Sequence, residues 1–145
     1  MPISAGQTVT AGQLNRMQPV PYEASASGSL VGPQTGVDVP GATVTFTTTT
    51  DNAVAVVNTS FDFDFSAATT TLGSGRLVVD GVATTRFALF QQGPGASADR
   101  VVAGQDYRVD LGTAGSHTLV LNVTVPTGMT LNQYTAMVVT VYEVV

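Results

Sequence analysis

Asp62 and Asp64, in the run Phe61-Asp-Phe-Asp-Phe65, are the most closely spaced carboxylates in the chain. Two carboxylates side by side can hold a cation or divide acid and base roles. On a strand, side chains two apart leave the same face about 7 Å from each other. No neighbouring residue supplies a third ligand of the right type, so the pair reads as solvent-facing spacers between buried phenylalanines. His117 is the only histidine and opens an apolar run directly after Ser116. Adjacent residues on a strand point to opposite sides, so Ser116 and His117 are not part of a nucleophile–base pair. A hydrogen-bonding histidine at a strand end or between subunits is the expectation, with pH sensing at an interface as its sharper form.

The remaining chemistry is sparse. The loop Gly93-Pro94-Gly95 lacks both the strand-to-helix setting and the lysine of a phosphate cradle. Asn58-Thr-Ser and Asn122-Val-Thr match the glycosylation acceptor pattern, which is short enough to arise by chance. Four tyrosines and no tryptophan argue against a carbohydrate cleft of stacked aromatics, while a sugar site built on loops stays open. The absence of cysteine removes thiolate catalysis, disulfides and cysteine-based zinc sites. No catalytic residue, cofactor or metal site is expected, and no enzyme class is supported.

The elements that would position a site are strands. In Tyr107 to Leu111, Tyr107, Val109 and Leu111 alternate with Arg108 and Asp110, the period-two signature of a half-buried strand. His117 to Val125 alternates in the same way. Tyr134 to Val145 is apolar or Thr on both faces except at Glu143, so cover on both sides is expected. Earlier, Val44 and Phe46 alternate with threonines, as at a half-exposed sheet edge. In Ala53 to Phe65, Val57, Thr59, Phe61, Phe63 and Phe65 share the face opposite Asn58, Ser60, Asp62 and Asp64. Asp80-Gly81 between alternating arms predicts a two-residue type I′ hairpin with Val79 facing Val82 and Leu77 facing Thr84. Turns are expected at Gly32-Pro33, Pro40-Gly41, Asp51-Asn52 and Ala103-Gly104, Ala67 to Gly75 reads as a loop, and Gln91 to Ala98 as a surface loop. About eight strands with such punctuation predict an all-β fold, an antiparallel β-sandwich of jelly-roll type, over residues 37–145.

Residues 1–36 read differently, as an anchoring arm and linker. Thr10 and Gln13 have the spacing of a capping box, and Leu14 and Met17 follow at i, i+3. Pro19 and Pro21 limit the helix to about two turns, too few for stability alone, so it must dock on something. Glu23-Ala-Ser-Ala-Ser-Gly-Ser reads as a polar linker.

Only 10% of the 145 residues are charged, against about 25% in ordinary soluble domains. Part of the surface is therefore expected to be covered. A net charge of −5, with five arginines and no lysine, excludes a basic stripe for nucleic acid. No apolar run approaches the roughly 18 residues of a membrane span, and the start Met-Pro-Ile-Ser-Ala-Gly lacks the features of an export signal. The all-Arg basic set and the wealth of Val, Ala, Gly and Thr fit a GC-rich genome.

Two stretches carry a resemblance. Gly6-Gln-Thr-Val-Thr-Ala-Gly-Gln-Leu-Asn-Arg-Met-Gln-Pro resembles the N-terminal segment of tailed-bacteriophage virion proteins. Gly104 to Leu111, Gly115 to Val123 and Tyr134 to Val145 are similar to jelly-roll heads of phage decoration proteins, head fibres and tail tips, which are related in shape to tumour-necrosis-factor-like trimers. The resemblance implies a virion part made in the bacterial host cytoplasm. The lack of a repetitive shaft favours a capsid decoration protein that docks on the major capsid protein as a homotrimer. On this reading Val9, Leu14 and Met17 are the docking residues, and Tyr134, Met137, Val139 and Val141 form the subunit or sheet interface. The alternative is a receptor-binding tip in which loops such as Gln91 to Arg100 read a host-surface glycan.

Overall fold

Among the described residues, alternation of apolar with small or polar side chains gives eleven strands, and a capped segment gives one short helix. The structure is a computed structural model that describes residue 8 and residues 10–65, 72–91 and 100–143. Helix α1 spans Ala11–Met17 and leads into β1 (Val20–Ser25), β2 (Leu30–Val31), β3 (Gln34–Thr48) and β4 (Val54–Phe65). The chain continues through β5 (Leu72–Val79), β6 (Val82–Ala83), β7 (Ala88–Gln91) and β8 (Arg100–Asp110). It closes with β9 (Gly115–Val125), β10 (Met129–Leu131) and β11 (Ala136–Tyr142).

All pairings are antiparallel, and the strands form two sheets. In the first, β8 pairs with one side of β4, while β11 and β10 lie end to end along its other side. β1 and β2 complete that edge. The second sheet runs β3-β9-β5, with β6 and β7 sharing the far side of β5. The two stack face to face as the expected β-sandwich of jelly-roll type.

The core sits between the sheets and is built from the inward alternate residues of each strand. Phe61, Phe63 and Phe65 are fully buried, with ring centroids of Phe61 and Phe63 at 6.4 Å and of Phe65 and Phe90 at 4.9 Å. Opposite them, β5 carries Gly73 and Gly75 on its inner face. A Cβ on Gly75 would collide with the Phe61 ring, so the glycine makes room for the aromatic. Thr43, Thr45 and Thr47 lie outward on β3, an edge strand as expected. The type I′ turn forms at Asp80 (φ 48°) and Gly81 (φ 81°), with Val79 opposite Val82. Thr84 donates its backbone N–H and its hydroxyl to Leu77 O at 2.9 and 2.8 Å.

Four local expectations are corrected. Glu23 to Ser25, read as the start of a linker, belong to β1 and pair with Val138 to Ala136 of β11. Pro40-Gly41 is a register shift inside β3 rather than a turn, because β9 pairs on both sides of it. Leu72 to Gly75, read as loop, is the start of β5. Ala103-Gly104 is likewise strand: β8 runs unbroken from Arg100, held in continuous register by β4.

Candidate functional site

Three constellations lie where the sequence pointed, and each is built by elements distant in the chain. The first is helix α1. Gln13 donates its backbone N–H to Thr10 Oγ1 at 3.2 Å, and Thr10 donates its own to Gln13 Oε1 at 2.9 Å. The expected capping box is thus complete. Asn15 and Gln18, both exposed, border an open cleft of about 280 Å³ together with Val20, Tyr22, Thr47, Thr49, Val141 and Glu143. Leu14 and Met17 are turned elsewhere and are 53% and 45% exposed. Val9, the third expected docking residue, lies outside the described residues.

Below the helix, Glu143 ties the end of β11 to the end of β3. Its carboxylate accepts from the Thr49 backbone at 3.0 Å, from the Thr49 hydroxyl, and from the Thr50 hydroxyl at 3.2 Å. Partial burial raises the Glu143 pKa, but the Thr49 and Thr50 hydrogen bonds outweigh it and leave the pKa lowered.

The second constellation surrounds Asp62, and here the expectation of a solvent-facing spacer is overturned. Asp62 is 1% exposed. Where β4 passes from β11 to β10, the connection 132–135 crosses it: Asp62 N donates to Thr135 Oγ1 at 3.1 Å and Asn132 N donates to Asp62 O at 2.8 Å. From β8, Arg100 reaches the carboxylate with two nitrogens, Nε to Oδ1 at 2.8 Å and Nη2 to Oδ2. The guanidinium carbon lies 5.1 Å from the centre of the Tyr134 ring. The Asp62 hydrogen bond, opposed by desolvation, raises the Arg100 pKa further.

This places the expected interface residues as well. Tyr134 is 65% exposed and available to a partner. Met137, Val139 and Val141 are not: they are 1%, 0% and 4% exposed inside their own sandwich. Strand alternation sends them inward, leaving Val138 and Tyr142, each 44% exposed, on the outer face. The Gln91 to Arg100 loop of the alternative reading lies mostly outside the described residues.

The third constellation holds His117. Its Nε2 lies 3.3 Å from Thr48 Oγ1 and its Nδ1 2.8 Å from Asp80 Oδ2. Asp80 Oδ1 also accepts from Thr118 N at 2.7 Å. The order hydroxyl, imidazole, carboxylate has the outline of a nucleophile–base–acid chain. Thr48, however, is 3% exposed and its hydroxyl is engaged with Gly115 N at 3.3 Å. The three side chains fasten β3, β9 and the β5–β6 turn to one another. The histidine is thus the expected hydrogen-bonding one, with both partners in its own chain. Sequence reading missed Thr48 and Asp80 as those partners, because only the pairing of β9 with β3 on one side and β5 on the other brings them to it.

Burial raises the Asp80 pKa slightly, and the hydrogen bonds from His117 and Thr118 override it to leave it lowered. Folded-state values below the unfolded ones, as for Asp80 and Glu143, stabilise the fold above the unfolded carboxylate range of about 4. That contribution is lost as pH falls through the folded values. Thermal midpoints measured from pH 7 to 2 are expected to drop below about pH 4. The drop should be shallower in Asp80→Asn and Glu143→Gln variants, and an unchanged slope in both would refute the assignment.

Among the described residues no helix is long and apolar enough to cross a membrane, and no three His, Asp or Glu side chains cluster as metal ligands. No family model matches the chain. No curated protein matches it either. Among solved structures it is similar to dimeric latent PorU of Porphyromonas gingivalis, at 15% identity over 86% of this chain and 13% of that one, with a TM-score of 0.51. It is also similar to a protein of the T13 IBDV viral particle, at 13% identity over 86% and 31% of the two chains, TM-score 0.46. A third is the CBM36-1 domain of a multidomain xylanase from the hindgut metagenome of Trinervitermes trinervoides, at 13% identity over 87% and 100%, TM-score 0.41. The chain spans only 13% and 31% of the first two. At such identities the likeness is one of architecture alone.

Proposed function

We propose that the protein is a virion structural protein, a capsid decoration protein that binds the outer surface of a tailed-phage shell and stabilises it. The observation that supports this reading is helix α1: its N-terminus is closed by a capping box, and its Leu14 and Met17 are uncovered. A seven-residue helix does not hold two large apolar side chains in water to its own advantage. Seated in an apolar groove of the major capsid protein, they would gain about 1.5–3 kcal/mol each. Binding only the assembled shell shifts the equilibrium toward it by mass action. The trimer is implied by the resemblance alone, and Met137, Val139 and Val141, buried in the chain's own core, contribute no contact to it.

The test is co-sedimentation of the full chain with capsids stripped of it. Leu14→Ser with Met17→Ser is expected to weaken binding at least about 100-fold. The melting temperature should stay put, since both side chains are exposed. Parent-like binding by the double variant would reject the proposal.

A further inference from the structure

Among the described residues the two sheets have four edges, and three of them are blunted against further strand pairing. At one, β1 carries Pro21 and follows Pro19, and β2 has only two residues before Pro33. At the second, β3 is interrupted by two register shifts and by Pro40. At the third, β6 and β7 have two and four residues. The fourth is β8, with eleven residues, no proline and unbroken register against β4.

The free side of β8 can be identified. Leu111 N donates to Ala53 O at 2.9 Å, and Thr59 Oγ1 lies 2.7 Å from Gln105 O, so odd-numbered residues turn their backbone groups toward β4. Antiparallel alternation then turns those of Val102, Gly104, Asp106 and Arg108 outward. The chain covers one of them itself, by donating Gln105 Nε2 to Asp106 O at 2.8 Å. Val102, in the same stretch, is 64% exposed.

From this edge we infer that two copies of the chain pair through β8, antiparallel about a two-fold axis at Gln105, continuing the β8–β4 sheet from one copy into the other. Gln105 is the centre of β8, so this register alone overlaps the whole strand; axes at Ala103 or Tyr107 also avoid like-charge pairs but overlap about seven residues of it. With Gln105 opposite Gln105, Arg100 faces Asp110 of the second copy, Gly104 faces Asp106 and, on the inner face, Val101 faces Val109. Moving the axis to Gly104 sets Arg100 against Arg108, and moving it to Asp106 sets that carboxylate against itself; like charges directly opposite are destabilising. Moving it by half a step would set the outer face of one copy against the inner face of the other. An isologous contact of this kind closes on itself and yields dimers rather than filaments. The inference stands independently of shell docking, which uses α1 at another part of the molecule.

The chain has no cysteine, which makes the test direct. At the axis Gln105 forms a non-hydrogen-bonded pair with its copy, whose Cβ atoms approach to about 4.5–5.5 Å, close to disulfide geometry. The full chain carrying Gln105→Cys is expected to become mostly a disulfide-linked dimer in air. Thr43→Cys, exposed on β3, should remain mostly monomeric under reduction-free electrophoresis. The parent should sediment as a dimer that dissociates on dilution. Val102→Pro, which removes an outward N–H and no bond to β4, should shift dissociation to at least tenfold higher concentration with the circular dichroism unchanged. A parent that sediments as a monomer or trimer, or Gln105→Cys that cross-links no more than Thr43→Cys, overturns the inference. Should Val102→Pro not fold, the cross-linking and the parent's mass still decide it.

Discussion

Replacing Phe61 by alanine should cost about 3–5 kcal/mol in urea-melt stability, a large part of what a domain of this size possesses. Phe61 is fully buried, stacked near Phe63 and set over Gly75 of the facing sheet. Removing the ring loses its transfer from water and leaves a void that two hydrogen-bonded sheets cannot close. The reverse change, Gly75→Ala, places a Cβ into the ring and is expected to cost about 1–3 kcal/mol by overpacking. The two sites share one volume, so the losses should not add. The double variant is expected to be more stable than the sum of the single losses predicts. Strict additivity would mean that Phe61 and Gly75 do not meet as described.

Arg100→Ala should be more damaging than its place on an edge strand implies. It leaves the Asp62 carboxylate, 1% exposed, facing no guanidinium. Removing one partner of a buried pair leaves the other charge uncompensated. Half of the Arg100 side chain reaches water, so solvent softens the loss, which is read as a lowered thermal midpoint. Asp62→Asn keeps the crossing of 132–135 and removes the stranded charge. Adding it to Arg100→Ala is therefore expected to restore stability, and a further decline in the double variant would contradict this account.

The sequence was most readable where neighbours in the chain are also neighbours in space. The Asp80-Gly81 turn, the Thr10–Gln13 cap and the inward face of β4 are all set by alternation or local hydrogen bonding, and all are present. Asp62 was misread because its burial is imposed by Arg100 and by the crossing at Thr135, neither of which alternation reveals. Glu23 to Ser25 have a linker's composition and become strand only because β11 offers an open ladder. Of the subunit or sheet interface read for Met137, Val139 and Val141, the structure shows the sheet one, and the sequence left the choice open for a related reason. An apolar strand needs cover on both sides, but alternation does not say which side the chain covers itself. His117 was assigned the right kind of role, while Thr48 and Asp80 came together around it only through the stacking of β3, β9 and β5.

The order in which strands find partners has a consequence for biosynthesis. β3 pairs with β9, and β4 is flanked by β8, β10 and β11, all of which follow at long range. While the ribosome is still making the second half, β3 and β4 have almost nothing to bond to. The second sheet is therefore completed only after β9 emerges and the first only after β11, which makes folding a late and comparatively slow event. Until then the threonine-rich and phenylalanine-rich strands travel unprotected, and a chain stalled before Gly115 should be a ready substrate for chaperones and proteases.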